Sequence, residues 1–500
     1  MPQRSLLCAA FAGPKMVAFF EQETEVQFLP GNAVPDFHGD APGAIEGGRS
    51  VVAAPYDGRR LGNLIHKLRR PIPETTVFGM AIASGADLGH FLNARRSPHS
   101  AVHVARRLGR HALELLRHRR SMQLVNGNAL AARLLRSAAD RGVALHASTA
   151  ARRLLTGQSG AVTGAVLDGP DGRTVTITAR HAVVLACGGF PHDKERQRAM
   201  FPHVAAGTAH NSAAPETNTG DGLRLAETVG GQVEMRQVDA GAWAPVSLVK
   251  RRDGSVGRFP HLIERGKPGI IAVLRTGRRF VNEAGPYHDF MRGLFQAVPV
   301  GEPVEAWLIC DHRFQRRYGL GAAKPFPFPL RPHLRAGYLK HGRTLSELAT
   351  ACGIDPTGLA ATIAEYNRHA RNGQDPEFGR GSVPYQRVQG DPKHGGPNPC
   401  VAPIERGPFY AVRIVPGSLG TFAGLVTDAA ARVLGASGRP VPGLFAAGND
   451  MASIMGGNYP SGGITLGPAM TFGWIAAQHI ADAAQNDTKR RRDDVGHPAA

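Results

Sequence analysis

Tyr459 and Ser461 stand in a glycine-rich loop between an apolar run and an apolar, helix-like stretch. The run at residues 444–447 reads as a buried strand. Gly448, Asn449 and Asp450 follow as a turn, Gly463 closes the loop, and a helix is expected from about Thr465 and Leu466. Strand, glycine turn, polar loop and helix start together make a place for a ligand with anionic or carbonyl oxygens. The free N–H groups and dipole at the start of a helix favour negative charge there. Pro468 suits the first helical turn, where its missing N–H costs nothing.

The elements that must position this loop are those of a large chain. Five hundred residues exceed one typical core and fit two domains. No apolar run reaches the length of a transmembrane helix, so stable membrane insertion is not expected. The segment "RSLLCAAFAG" near the start is too short for a signal core and flows into a helical pattern at Met16, Phe19 and Phe20. Cys8, Cys187, Cys310, Cys352 and Cys400 form no CxxC pair. Their odd number suits a reducing cytoplasm and argues against a zinc site or a disulfide frame.

The formal net charge is +19, concentrated in residues 95–120. Val102, Leu108, Ala112, Leu115 and Leu116 give that segment one apolar helical face. No aromatic residue is interleaved with its cations to stack on bases, so a surface helix is expected rather than a nucleic-acid site. His99, His103 and His111 lack a cysteine or carboxylate at ligand spacing, so no metal is expected. The charged end, residues 486–500, reads as a disordered tail.

Alternating helical and strand-like stretches give an α/β class. Strands are expected after residue 142, leading to a buried strand at residues 182–186 and the Gly188-Gly189 turn. Between residues 246 and 412 the texture changes: Pro-rich connectors appear, with a helical stretch over residues 344–372.

The loop segment, together with "AVVLACGGFPHD", "AAPETNTGDGLRLAETVGG", "RTGRRFVNEAGPYHDF" and "APIERGPFYAVRIVPGSLGTFAGL", resembles the fumarate reductase/succinate dehydrogenase flavoprotein superfamily. The closer resemblance is to its 3-ketosteroid dehydrogenase branch, over residues 11–481. It implies an FAD-binding domain in two parts, residues 1–245 and 413–485, with an inserted α+β cap, or catalytic, domain at 246–412. The strand–GxGxxG–helix unit that opens such proteins is not found near residue 1. The Rossmann-like domain is therefore expected to be incomplete, with weak FAD binding. A flavin-free, inactive remnant is one alternative reading.

The resemblance also implies roles. Tyr459 and the Gly463 N–H would receive a ketone oxygen, a sensible oxyanion hole. Tyr287 would act as the base, and a tyrosine needs local positive charge or a relay for that work. Arg278 and Arg279 are the nearest cations in sequence. Ser461 resembles the serine of the Δ4-(5α) type, and Phe37 stands near the place of a further tyrosine of the Δ1 type. Ala151, Gly188, Gly189, Gly448, Asn449, Thr465 and Leu466 would contact FAD. The implied reaction desaturates an apolar, steroid-like cyclic ketone beside its carbonyl, with hydride passing to flavin N5 and then to an unidentified acceptor. Dicarboxylate chemistry, the other alternative, needs cations to pair two carboxylates, and the loop "GGNYPSGGITLG" has none.

Overall fold

The 13-residue strand Phe409–Thr421 organises the molecule. It is long enough to pair with different neighbours along its two halves. The computed structural model describes residues 2–495 apart from 32 and 84, and the following elements build the architecture.

Helix α1 (Pro2–Glu23) packs along the helix near the other end of the chain. Helix α2 (Pro98–His118) begins at Ser97, whose side chain accepts the Ser100 N–H as a cap. Strands β1 (Ala150–Thr156), β2 (Val162–Asp168) and β3 (Thr174–Thr178) form an antiparallel sheet. Strand β4 (Val183–Leu185) follows.

The large sheet uses β5 (Gly241–Lys250), β6 (Val256–Pro260) and β7 (Ile270–Val273). Helix α3 (Tyr287–Ala297) leads to β8 (Ala306–Cys310) and then β9 (Leu339–Gly342). Helices α4 (Leu345–Cys352) and α5 (Pro356–Ala370) are separated by Gly353, which sits at φ 67°. That left-handed residue splits the helical stretch expected over 344–372. Short helix α6 is Pro384–Gln389, and β10 is the long strand Phe409–Thr421. The sheet runs β6-β5-β10-β8-β7, with β9 also on β10, and every pairing is antiparallel.

Alternation assigns its two faces. Ile270, Ala272, Leu308, Val412 and Ile414 pack with Phe290, Met291 and Leu294 of α3. Ile271, Val273, Ile309 and Ala411 pack with Leu348, Leu359 and Ile363 of α4 and α5. The expected cap boundaries, 245/246 and 412/413, fall within β5 and β10. Strands β11 (Arg432–Leu434) and β12 (Pro440–Ala446) complete a small sheet in which β12 runs parallel to β4. Helix α7 (Leu466–Val495) follows the glycine loop. Among the described residues, no helix is long and apolar enough to cross a membrane.

Three local expectations differ from the structure. The apolar residues of α2 do not form its buried face: Leu116 is 81% exposed and Val102 48%. Arg107, His111 and Glu114 are buried instead. Each has a partner that makes polar burial tolerable: Gln123 for Arg107, the Phe78 carbonyl for His111, and the Met122 N–H for Glu114. Strand β4 is only partly buried, with Val184 43% exposed. The helix α7 runs through residues 486–495, where a disordered tail is expected. Residues 496–500 lie outside the described residues.

One buried ion network ties the segment that leads into α3 to β7 and to the chain after α5. Arg279 donates to Glu283 and to Asp375, at 2.7 and 2.8 Å. Arg380 donates to Glu283 Oε2 at 3.1 Å, and the Ala272 N–H of β7 donates to Glu283 Oε1 at 3.0 Å. Burial pushes the Asp375 carboxyl up, but Arg279 outweighs it and the net shift is downward. The stability that Asp375 adds is therefore present at neutral pH and is lost as the pH falls through the carboxylate range. Glu283→Ala leaves the buried Arg380 guanidinium without its carboxylate and Arg279 with Asp375, and should cost about 3–5 kcal/mol. A urea unfolding midpoint equal to wild type would refute that role for the network.

Candidate active site

Strands β4 and β12 run parallel, and the turns at their ends meet. Gly188 and Gly189 follow β4 at φ 90° and 76°. The Gly448–Asp450 turn follows β12. Asp450 bridges the two: its fully buried carboxylate accepts the Cys187 N–H at 2.6 Å and the Gly189 N–H at 2.8 Å. Glycine is required at 189 because a side chain there would collide with Thr421 and the Asn449 carbonyl. Gly222 lies so close to the Asp450 carboxylate that a side chain there would displace it. Burial keeps the Asp450 pKa above the ordinary carboxylate value despite its backbone bonds. Cys187 is exposed at the surface, yet desolvation on its inner side and then the Asp450 charge push its thiol up to about 12, so it is held as a thiol.

Beyond this turn, Thr421, Phe422, Gly448, Asn449, Thr465 and Pro468 line a cleft. Thr465 and Leu466 lie at the start of α7, and Pro468 is in its first turn. Gly463, at φ 85°, has no atom within 4 Å of where a side chain would be. The cleft's lining presents backbone amides and neutral side chains, with no charged group. That donor set and the open backbone at Gly463 fit the polar edge of a flavin ring at a helix start. Ala151 lies apart, exposed on β1 opposite Leu167.

Next to the cleft is a cluster of aromatic rings. The Tyr287 and Tyr459 rings are 5.0 Å apart at 77°. Phe37 stacks on Tyr459 at 5.6 Å and 10°, and meets Tyr287 at 5.6 Å. Tyr385 of α6 is 4.4 Å from Phe37. The Phe37 N–H donates to the Pro460 carbonyl at 2.9 Å, which fastens its loop to the glycine loop. Ser461 is half-buried, and its hydroxyl has no hydrogen bond to another described residue. Burial raises the pKa of Tyr459, while hydrogen bonding with Tyr287 and Thr465 opposes the shift. Burial likewise pushes Tyr287 well above the ordinary phenol value, and Tyr385 up to about 12.

A polar chain sets the position of α3 against the loop. The Trp243 N–H donates to His288 Nδ1 at 3.1 Å, so His288 carries its proton on Nε2 and donates to Asp239 at 2.9 Å. Arg292 donates to the same carboxylate at 2.5 Å and to Asn458 at 3.3 Å, next to Tyr459.

The structure thus brings together Tyr287, Tyr459, Gly463 and the Gly448–Thr465 cleft from separate parts of the chain. Arg279 does not serve Tyr287, because Glu283 and Asp375 hold it. Sequence reasoning did not single out Asp450 as the staple between the turns, nor Tyr385. The Gly-Asn-Asp triplet was the available signal for the first; an isolated tyrosine in "VPYQRV" gave none for the second. Among the described residues, no group of three or more His, Cys, Asp or Glu side chains could hold a metal ion.

A family model described as FAD binding domain matches residues 2–466. The chain is 40% identical over 488 residues to 4-oxocyclohex-2-ene-1-carboxylate 5-dehydrogenase of Sinomonas cyclohexanicum, covering 97% of this chain and 82% of that protein. It is 34% identical over 485 residues to 3-oxosteroid 1-dehydrogenase of Mycobacterium tuberculosis (strain ATCC 25618 / H37Rv), covering 94% and 83%. The solved structure of 3-ketosteroid Δ1-dehydrogenase from Sterolibacterium denitrificans, in complex with 1,4-androstadiene-3,17-dione, matches with a TM-score of 0.87 at 36% identity. That match covers 96% of this chain and 86% of the other.

Asp450→Ala leaves the Cys187 and Gly189 amides without their acceptor. The buried Gly189 amide, left unsatisfied, should cost about 1–3 kcal/mol, and the Cys187 amide less because that residue is exposed. A thermal melt should register the loss even without ligand; an unchanged melting temperature would show that the two turns hold their spacing without Asp450.

Proposed function

The chain belongs to the flavoprotein family defined by the FAD binding domain, and from this we propose how its aromatic cluster works. It is an FAD-dependent oxidoreductase acting on CH–CH bonds, and it desaturates a cyclic ketone next to its carbonyl. The relatives give no better support to a flavin-free remnant or to a dicarboxylate enzyme. In our reading the substrate is an apolar ring ketone, steroid-like or a single ring bearing a carboxylate. The electron acceptor is unidentified.

The pairing of Tyr287 with Tyr459, 5.0 Å between ring centroids beside an open glycine backbone, carries this reading. Tyr459 Oη–H and the Gly463 N–H receive the ketone oxygen. The oxygen becomes more negative as the neighbouring C–H bond breaks, so both hydrogen bonds tighten along the reaction. Tyr287 Oη takes the proton from the carbon beside the carbonyl. Bound FAD would supply the acceptor for the hydride that leaves the next carbon. Gly188, Gly189, Gly448, Asn449, Thr465 and Leu466 would hold its ring and chain, and Ala151 its adenine side. Phe37 and Phe422 wall the substrate space and keep water from it. In this reading Ser461 lies beside the oxyanion hole and tunes the side of the ketone that is desaturated. Five free cysteines suit a reducing cytoplasm.

Two measurements test this. Cyclic ketones should bleach the flavin anaerobically, while succinate should not; bleaching by succinate alone would reverse the reading. Tyr459→Phe should slow flavin reduction about 10²–10³-fold, the usual loss for one oxyanion donor, with flavin content unchanged. Tyr287→Phe should slow it by removing the proton acceptor. A reduction rate unaltered in both variants would remove the cluster from the mechanism.

A further inference from the structure

Arg265 is 1% exposed, and its guanidinium bonds only to neutral carbonyl oxygens. Nε donates to the His261 carbonyl at 2.8 Å, Nη1 to Glu283 O at 2.7 Å and Nη2 to Gly285 O at 3.3 Å. Glu264 and Glu283 act on it only through space: Glu283 is hydrogen-bonded by Arg279 and Arg380, and Glu264 is paired with His261. A buried cation without an anionic partner is costly and calls for an explanation. We propose that Arg265 is the positioning residue that gives Tyr287 its proton-accepting character, by placing against the phenol cluster a positive charge to which no carboxylate is hydrogen-bonded. This rests on the reading of Tyr287 as the proton acceptor.

The placement follows from three contacts. First, the carbonyls of Glu283 and Gly285 belong to the turn that enters α3, and Tyr287 is the first residue of α3. Arg265 therefore ties down the backbone that carries Tyr287. Second, its guanidinium lies 4.8 Å from the ring centroid of Phe290. Phe290 is one helical turn beyond Tyr287, on the same side of α3. Third, the turn Glu264–Gly266 packs on α6, where Gly266 abuts Gln389. Gln389 is one turn from Tyr385, on the same side of α6. Arg265 thus stands between the helices that carry the two tyrosines.

The groups bearing on Tyr287 are Tyr459 from the glycine loop, Tyr385 from α6 and Arg265; Phe37, which also packs on it, is apolar. Burial and both tyrosines push the Tyr287 pKa up, and Arg265 pulls it down. Arg265 also pulls Tyr385 down. It is the cation in this set. In the step itself a lone pair of the Tyr287 phenolate forms an O–H bond as the substrate C–H bond breaks. The C–H electron pair moves toward the ketone, whose oxygen gains charge against Tyr459. Tyr287 ends as a neutral phenol and returns its proton to solvent before the next cycle. The guanidinium lowers the energy of the phenolate that begins this sequence.

Proton removal can be read without flavin reduction, as wash-in of deuterium beside the carbonyl, followed by NMR on the flavin-reduced protein. The probes are cyclohexanone and 4-oxocyclohexanecarboxylate. Arg265→Gln should slow wash-in of both about tenfold at a fixed pH, as for about one unit of phenol pKa, and the deficit should close as the pH rises. Arg265→Lys keeps the charge and should stay within about threefold of wild type at neutral pH, since it loses only the fork geometry. If Arg265→Gln does not fold, Arg265→Lys decides alone. Its rate must fall once the introduced ammonium loses its proton, whereas the wild-type rate continues to rise. Equal, pH-independent losses in both variants would make Arg265 merely structural. A loss confined to KM for the carboxylated ketone would make it a substrate anchor. Either result overturns the proposal. Wash-in unaffected by Tyr287→Phe would instead overturn the catalytic reading on which the proposal stands, and is told apart by that variant alone.

Discussion

The site depends on one carboxylate that joins two turns. Asp450 accepts the backbone N–H groups of Cys187 and Gly189, so the end of β12 fixes the end of β4. Strand pairing alone sets the two strands side by side but leaves the turns beyond them free to choose a path. The carboxylate removes that choice. It fits there only because Gly189 adopts a left-handed conformation and Gly222 leaves room beside it. A buried carboxylate bonded to backbone amides supplies acceptors that neither strand could offer the other at that point. The glycine loop then leaves the second turn in a defined direction, and Tyr459 and Gly463 inherit it.

The cap side of the site is placed by a separate device. Trp243 in β5, His288 and Arg292 in α3, Asp239, and Asn458 in the glycine loop form one continuous chain of hydrogen bonds. Each link uses the group before it. The Trp243 N–H occupies His288 Nδ1, which leaves Nε2–H for Asp239. Asp239 is thereby a carboxylate shared by a neutral imidazole and a guanidinium. Burial pushes its pKa up, but His288, Trp243 and Arg292 prevail and hold it low. The chain ends at the residue before Tyr459 and passes through the residue after Tyr287. The distance between the two tyrosine rings is therefore fixed by backbone anchors on both sides, and does not rely on the rings' own contact.

Much of the loop side was legible in the sequence, because it is local. A strand, a glycine turn and a helix start succeed one another within a few dozen residues, and their φ requirements are written in glycine and proline. The split between α4 and α5 was not read, although its signal is also local: Gly353 is left-handed and Asp355 caps the next helix. What was not legible is whatever depends on residues distant in sequence. The face of α2 was misjudged because its apolar side chains carry a helical period, while the choice of buried face was made by Gln123, Phe78 and Met122. Val184 reads as core by its type, yet β4 lies at the edge of its small sheet and leaves that side chain exposed. Tyr385 carried no signal, since only the fold of the cap brings α6 against Phe37.

The arginines near Tyr287 show why distance in sequence is a poor guide to electrostatics. Arg279 is the closer in sequence and is also buried, but its charge is spent on Glu283 and Asp375 at hydrogen-bond distance. From the position of Tyr287 that group of four side chains, Arg380 included, is two cations against two anions, and its field falls off steeply. Arg265 contributes no such cancellation, because carbonyl oxygens satisfy its donors without neutralising its charge. Carbonyls make a guanidinium tolerable in the interior while leaving its field intact. A phenol has no strong base beside it in this cluster, where its neighbours are other phenols and a phenyl ring. Under those conditions the long-range field of an unpaired cation is the means left to shift its ionisation, and the turn Glu264–Gly266 is where the fold keeps one.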